Sequence, residues 1–294
     1  MKKLFLLAAA AISMTAGAQV NIQLHYDLGR NLYPNDQSNR GYFTTTVEMF
    51  KADRLGSTYF FVDMDYCGNY RRYDANGCAI DDGSSNRGNI AAYWEVSRDF
   101  TFAKVKNTNH SFSAHIEYDG GLSQAAGPFQ QAILVGPAWS WHNADFKKTF
   151  TLQVMYKQFL NSNDRNDFSS SGHDAHPSFQ ITPIWNITFA NDLCTFSGFA
   201  DLWYGWGSNF KGAIDANGRF TTEQQKGLVF LTEPQFWFHI VNKGKTSNRL
   251  SVGTEVEISN NFIYGTRYIN GIPYGSNTNK TFFVNPTIAL KWDI

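Results

Sequence analysis

Twelve carboxylates share one phase of an alternating sequence: Asp27, Glu48, Asp63, Asp65, Glu95, Glu117, Asp119, Asp201, Glu233, Glu255, Glu257 and Asp293. In the segments that carry them, every second residue is apolar and the carboxylates fall in between. The same polar phase holds Phe50, Tyr59, Phe61, Tyr93, Phe199, Trp203, Trp237 and Phe283, with only Lys157, Lys291 and Arg249 to oppose the negative charge. Carboxylates beside aromatic faces can hold a neutral polar ring, by stacking on a base or by hydrogen bonds to sugar hydroxyls. Gathered on one inner surface, they also set up a negative potential that admits cations and neutral solutes and resists anions. Polar groups placed this way can equally do no more than fill and solvate an interior. Asp63 and Asp201 each follow a phenylalanine by two residues, Phe61 and Phe199, and are the expected constriction.

Signatures of catalysis are missing. The chain has no H-E-x-x-H, G-x-S-x-G, G-x-x-x-x-G-K or C-x-x-C pattern. His25, His115 and His239 fall on the polar phase and the other four histidines in connections, so none is placed to pair with a serine facing lipid. Asp74-Ala-Asn-Gly77 with Asp81-Asp82 has oxygen ligands at spacings that suit calcium, but it misses the twelve-residue pattern, and Asn-Gly is a hairpin-turn pair. His173-Asp-Ala-His176 reads as a solvated loop tip. Neither an enzyme nor a metal or other cofactor is expected.

The elements that position these residues are long strands. From Phe282 to the end, Phe282, Val284, Pro286, Ile288, Leu290, Trp292 and Ile294 alternate with mostly polar or small residues. That period of two marks a strand with one apolar face. A strand needs about 9–11 residues to cross a bilayer, whereas strands of soluble proteins average about five or six. The pattern recurs around Pro137, Pro183 and Pro234, with the proline on the apolar phase each time. Counting alternation along the chain gives twelve strands, none with a charge at the apolar positions assigned to it. Arg or Lys at such a position would cost about 2–4 kcal/mol in mid-bilayer. Connections near 29–41, 67–89, 119–130, 160–177, 206–225 and 260–279 are long and polar, and those between them are mostly shorter. Long external loops alternating with short periplasmic turns suit an even-stranded outer-membrane barrel with both termini inside. Twelve strands imply about 24 Å between backbones, which large side chains narrow to a small passage. Prolines within a closed barrel must mark bulges or local breaks, because each removes a ladder donor.

The N-terminus carries a secretory leader: Lys2-Lys3, an apolar run from Leu4 to Ile12, and Ala16-Gly17-Ala18 before the expected cut. Residues 1–18 are thus the leader and 19–294 a single barrel domain. Acidic residues slightly outnumber basic ones once Lys2 and Lys3 are removed, which argues against nucleic acid as a partner. Cys67 and Cys78 could staple one loop in an oxidising compartment or remain unpaired. Phe61-Val-Asp63 matches Phe199-Ala-Asp201, Asp74–Gly77 matches Asp215–Gly218, and Glu95 and Glu117 match Glu233 and Glu257. A six-plus-six duplication would give these matches, as would the likeness of any two alternating strands.

Asn21–Arg30, Thr44–Phe50 and Leu55–Asp65 resemble an uncharacterised family of Gram-negative outer-membrane proteins, itself similar to the nucleoside-specific (Tsx-like) channels. The aromatic-x-Asp of strands three and nine, Trp94-Glu95, Val135-Gly-Pro137 and Glu233-Pro234 carry the likeness to the channels. It implies a narrow lumen that passes nucleosides. The ending in Ile294, where many such barrels end in Phe, departs from the pattern.

The sequence therefore predicts an all-β protein: a 12-stranded antiparallel transmembrane β-barrel of the outer membrane, monomeric and surrounded by lipid. It passes or binds a small polar solute, with nucleosides the class the resemblance implies. The expected lumen residues are Asp63, Asp201, Phe61, Phe199, Glu95, Glu233, Glu117, Glu257, Tyr59 and Trp203. Two other readings stand beside it: a barrel with a plugged lumen whose external loops do the work, and a secreted glycan-binding β-sandwich.

Overall fold

The computed structural model describes residues 18–33, 40–67, 72–73, 79–80, 88–123, 127–160, 175–211, 223–263, 267–269, 272–274 and 281–294. Residues 1–17 of the leader, Asp74–Gly77, Cys78, Asp81-Asp82, His173 and Asp215–Gly218 lie outside these residues.

Twelve antiparallel strands form the wall: β1 (Gln19–Asp27), β2 (Phe43–Asp53), β3 (Gly56–Cys67), β4 (Gly88–Lys104), β5 (His110–Ser123) and β6 (Gly127–His142), then β7 (Lys148–Phe159), β8 (His176–Phe189), β9 (Cys194–Lys211), β10 (Glu223–Thr232, resuming at Gln235–Val241), β11 (Arg249–Asn260) and β12 (Phe282–Asp293). Each pairs with its sequence neighbours, and β1 closes on β12 from Asn21↔Asp293 to Asp27↔Thr287. The result is a closed up-and-down barrel with no free long edge, which excludes a two-sheet sandwich. One short helix, α1 (Gly29–Leu32), follows β1.

Period-two sequence turns directly into an inside and an outside. Ile22, Leu24, Val96, Ile116, Val135, Val154, Phe236, Ile288, Leu290 and Trp292 are exposed on the outer surface, where a soluble protein would place polar residues. Five short connections, residues 54–55, 105–109, 143–147, 190–193 and 242–248, lie at the end that carries both termini. Asn107, Asn191, Asn242 and Asn248 take positive φ in three of them, a conformation that asparagine tolerates well. Lys147 and Asp192 tie two of these turns together at 2.5 Å, a hydrogen bond that raises the lysine's hold on its proton.

The wall differs from the sequence reading in several places, among them His176, which opens β8 buried and stacked on Phe159 instead of standing in a solvated loop. The expected long connection at 119–130 shrinks to 124–126, because β5 and β6 continue through Gly120, Gly121 and Phe129. β4 runs on to Lys104, which turns Arg98 outward beside Phe100; Asp53 holds it at 2.7 Å near the short-turn end.

The four strand prolines sit where ladders lapse. β6 loses its pairing with β7 at Gly136-Pro137, and β8 loses its pairing with β9 at Thr182-Pro183. Pro234 lies in the gap that divides β10, and Pro286 lies just past the last β1 pair. A residue with no N–H to give thus occupies places where none is required.

Candidate functional site

The inward-facing side chains divide the interior into two unlike walls. On one, Ala132, Leu134 and Met155 pack into a small apolar core next to Phe159. Phe159 also joins Trp203, Val229 and Leu231, with Phe199 and Phe262 against them. This wall is filled. Leu134, Met155, Val229 and Leu231 were not foreseen as lining residues, although the unbroken apolar runs Ile133-Leu134-Val135 and Leu228–Leu231 signal burial on both faces.

The other wall is acidic and aromatic. Glu48, Tyr59, Phe61, Asp63, Asp65, Tyr93, Glu95, Glu233, Glu255 and Glu257 are all half-buried along β2, β3, β4, β10 and β11. Neighbouring strands hold several of these carboxylates in place. Thr46 donates to Asp63 at 2.5 Å, Thr44 to Asp65 at 2.7 Å, Tyr93 to Glu95 at 3.0 Å and Gln235 to Glu255 at 2.6 Å. Glu48 accepts from Asn21 at 2.7 Å and Tyr59 at 3.2 Å, with Lys291 Nζ 4.0 Å away. Tyr59, Phe61 and Tyr93 form a run of rings with centroids 6.0–6.1 Å apart. Glu233, next to the β10 break, has Glu255, Glu257, Asp63 and Glu95 as its strongest electrostatic neighbours. Among the described residues, Asp63, Glu95, Glu233 and Glu255 have no ion-pair partner.

Asp201, Glu117 and Trp203 belong to a more enclosed group. Lys157 donates to Asp119 at 3.0 Å and to Gln180 at 2.7 Å, and lies over the rings of Phe159 and Trp203. Glu95, Glu117 and Asp119 bring carboxylate oxygens within 4.8 Å of one another beside that ammonium, which supplies the cation there. Thr182 donates to Asp201 at 2.5 Å, as Thr46 does to Asp63. The two aspartates stand six strands apart in the ring, so the same threonine–aspartate contact occurs on both walls. Asp63 is half-buried, whereas Asp201 is 7% exposed.

The three lumen histidines are structural. His25 bonds Thr287 and Gln23, His239 bonds Ser251 and Thr195, and His115 bonds Asp99 and Glu117, which occupies both ring nitrogens of each. Arg249 pairs with Asp293 at 2.7 Å. The cation that the sequence hid is Arg40. It precedes β2 in a polar stretch that resembles any loop, yet it reaches inside to Asp27 and Glu257, each at 2.7 Å. Burial opposes its charge, but Glu257, Tyr42 and Asp27 outweigh that and hold the proton above the ordinary arginine range. Burial likewise keeps the Tyr42 phenol protonated.

Several solved barrels are similar in outline. The NanC porin shares 11% identity at a TM-score of 0.47, with 94% of this chain and 100% of that chain covered. The KdgM porin shares 8% at 0.40, covering 94% and 99%, and LpxR from Salmonella typhimurium shares 7% at 0.40, covering 94% and 100%. Likenesses this distant say nothing about what the present barrel carries. Curated proteins gave no match. Residues 18–294 match the family described as a domain of unknown function, DUF5020, and the chain belongs to that family.

Proposed function

We propose that this protein is an outer-membrane channel for small polar solutes that are neutral or cationic. The observation that carries it is the half-buried strip formed by Tyr59, Phe61, Asp63, Tyr93, Glu95, Glu233 and Glu255, acidic and aromatic together. Its outward face suits lipid, since the long strands present Leu, Ile, Val and Phe to their surroundings. Inside, carboxylates with no ion-pair partner among the described residues favour cations and disfavour anions in a confined space. The ring series offers stacking surface, and the carboxylates accept hydrogen bonds from hydroxyl or amino groups. A nucleoside combines both features and is the preferred candidate, consistent with the resemblance to nucleoside channels. Asp63 and Asp201, with Phe61 and Phe199, form the narrowest selective region in this proposal.

Liposome swelling tests it. Vesicles holding the refolded barrel should swell in nucleosides faster than in anionic sugars of similar size. Equal rates for both, or no swelling above protein-free vesicles, would refute the selective passage and favour a barrel that works through its external loops.

A further inference from the structure

Cations crowd the short-turn end of the barrel, and few of them are neutralised. Arg54, Lys104, Lys106, Lys243 and Lys245 stand exposed in or beside the turns, with no ion-pair partner among the described residues. Of the carboxylates at that end, Asp53, Asp99, Asp192 and Asp293 already have basic partners, which leaves Asp145. One chain thus carries an acidic lumen and a basic collar.

The outer face of β2, β3 and β4 is where the collar meets the apolar wall. The register sets Asp53, Gly56 and Phe100 side by side in one row, then Lys51, Thr58 and Arg98, then Met49, Phe60 and Val96. Each row lies two residues deeper than the last, so all three face the same way. The middle row has a long cation at either side, while the small Thr58 and Gly56 stand between and beside them. Strands lie about 4.8 Å apart, so the two cations flank a shallow recess about 10 Å wide. Arg98 donates to Thr58 at 2.9 Å and to Asp53 at 2.7 Å, which fixes its guanidinium and leaves other N–H groups of the fork to give. The Asp53 Oδ1 is engaged in turn, since it also accepts from the Leu55 and Gly56 amides at 2.8 and 3.1 Å. Lys51 is exposed and has no ion-pair partner among the described residues. Val96, Phe100 and Phe102 are exposed on β4 alongside, Phe102 at 70%.

Cations fixed at the border of an apolar band suit the headgroup level of a bilayer. A water-soluble polyanion would meet the charges but leave Val96 and Phe100 bare; a lipid covers both. We propose that the recess between Lys51 and Arg98 seats the phosphate of an anionic phospholipid, whose acyl chains lie over Phe60 and Val96. The inference rests on the barrel's spanning a membrane and not on what passes through it.

The test uses the full mature chain, refolded in a neutral detergent. Phosphatidylglycerol and phosphatidylcholine with the same acyl chains are added in equal amounts, and native mass spectrometry counts the lipid that stays bound. The parent should retain phosphatidylglycerol in clear preference. Lys51→Gln should lower that preference roughly fivefold, the gain expected for one cation beside an anionic lipid surface. Lys226→Gln removes an exposed lysine of β10 next to the long 212–222 connection, and should leave the preference as it was. Equal retention of the two lipids by the parent would overturn the site, as would a preference that Lys51→Gln leaves unchanged or that both variants lower alike. Displacement of the lipid by an equal concentration of inorganic phosphate would make the recess a site for free phosphate and overturn the lipid assignment. Should Lys51→Gln fail to give the folded band, Arg98→Gln decides, read in the same way.

Discussion

Lys157→Met tests how the filled wall is held together. The lysine side chain is 8% exposed and its partner Asp119 2%. It serves Asp119 and Gln180 at once, and the Asp119 Oδ1 already has no partner. Methionine keeps the stem over Phe159 and Trp203 but removes the charge, leaving Asp119 beside Glu95 and Glu117 with nothing to offset it. Removing one member of a buried pair costs about 3–5 kcal/mol, whereas replacing both with apolar groups is often neutral. Lys157→Met should therefore lose about 3–5 kcal/mol, and Lys157→Met with Asp119→Leu should recover to within about 1–2 kcal/mol of the parent. Reversible urea titration in lipid vesicles, scored by the mobility of unboiled samples on a gel, measures both. A single variant within about 1 kcal/mol of the parent, or a double variant no better than the single, would refute the assigned role of the pair.

Three further outcomes follow from the same geometry. Ile288, 65% exposed on the outer face of β12, should tolerate leucine, whereas Ile288→Arg should cost about 2–4 kcal/mol in a bilayer; equal folding of the two would place this face away from lipid. A Cβ on Gly136 would stand 2.1 Å from the Val154 carbonyl oxygen, so Gly136→Val should fail to give the fast-migrating folded band, and normal folding would contradict the close approach of β6 and β7. Protease added to intact cells should cut within 68–87 or 212–222 before 143–147 or 190–193; the reverse order would invert the barrel in the membrane.

Much of the wall was legible because alternation maps one-to-one onto inside and outside. The apolar phase of the closing strand, the lumen phase of the carboxylates and the inward placement of His25, His115 and His239 all follow from it. The strand prolines were readable as breaks, though not which neighbour each would lose. Alternation said least where both phases are apolar, and there Leu134, Val229 and Leu231 pack into the filled wall unannounced. It also failed where polar glycine-rich sequence pairs anyway, as at Gly120-Gly121, since ladder bonds do not depend on side-chain type. Arg40 was out of reach for another reason. Its importance comes from a chain that folds back to meet Glu257, 217 residues away, and no local pattern records that contact.

The most direct test of an acidic selective lumen is the zero-current reversal potential of the purified barrel in a planar bilayer under a potassium chloride gradient. The expected result is a clear preference for potassium, reduced when Asp63→Asn and Asp201→Asn are combined in a barrel that still shows the folded band. A preference for chloride, or a potassium preference that the double variant leaves unchanged, would contradict it.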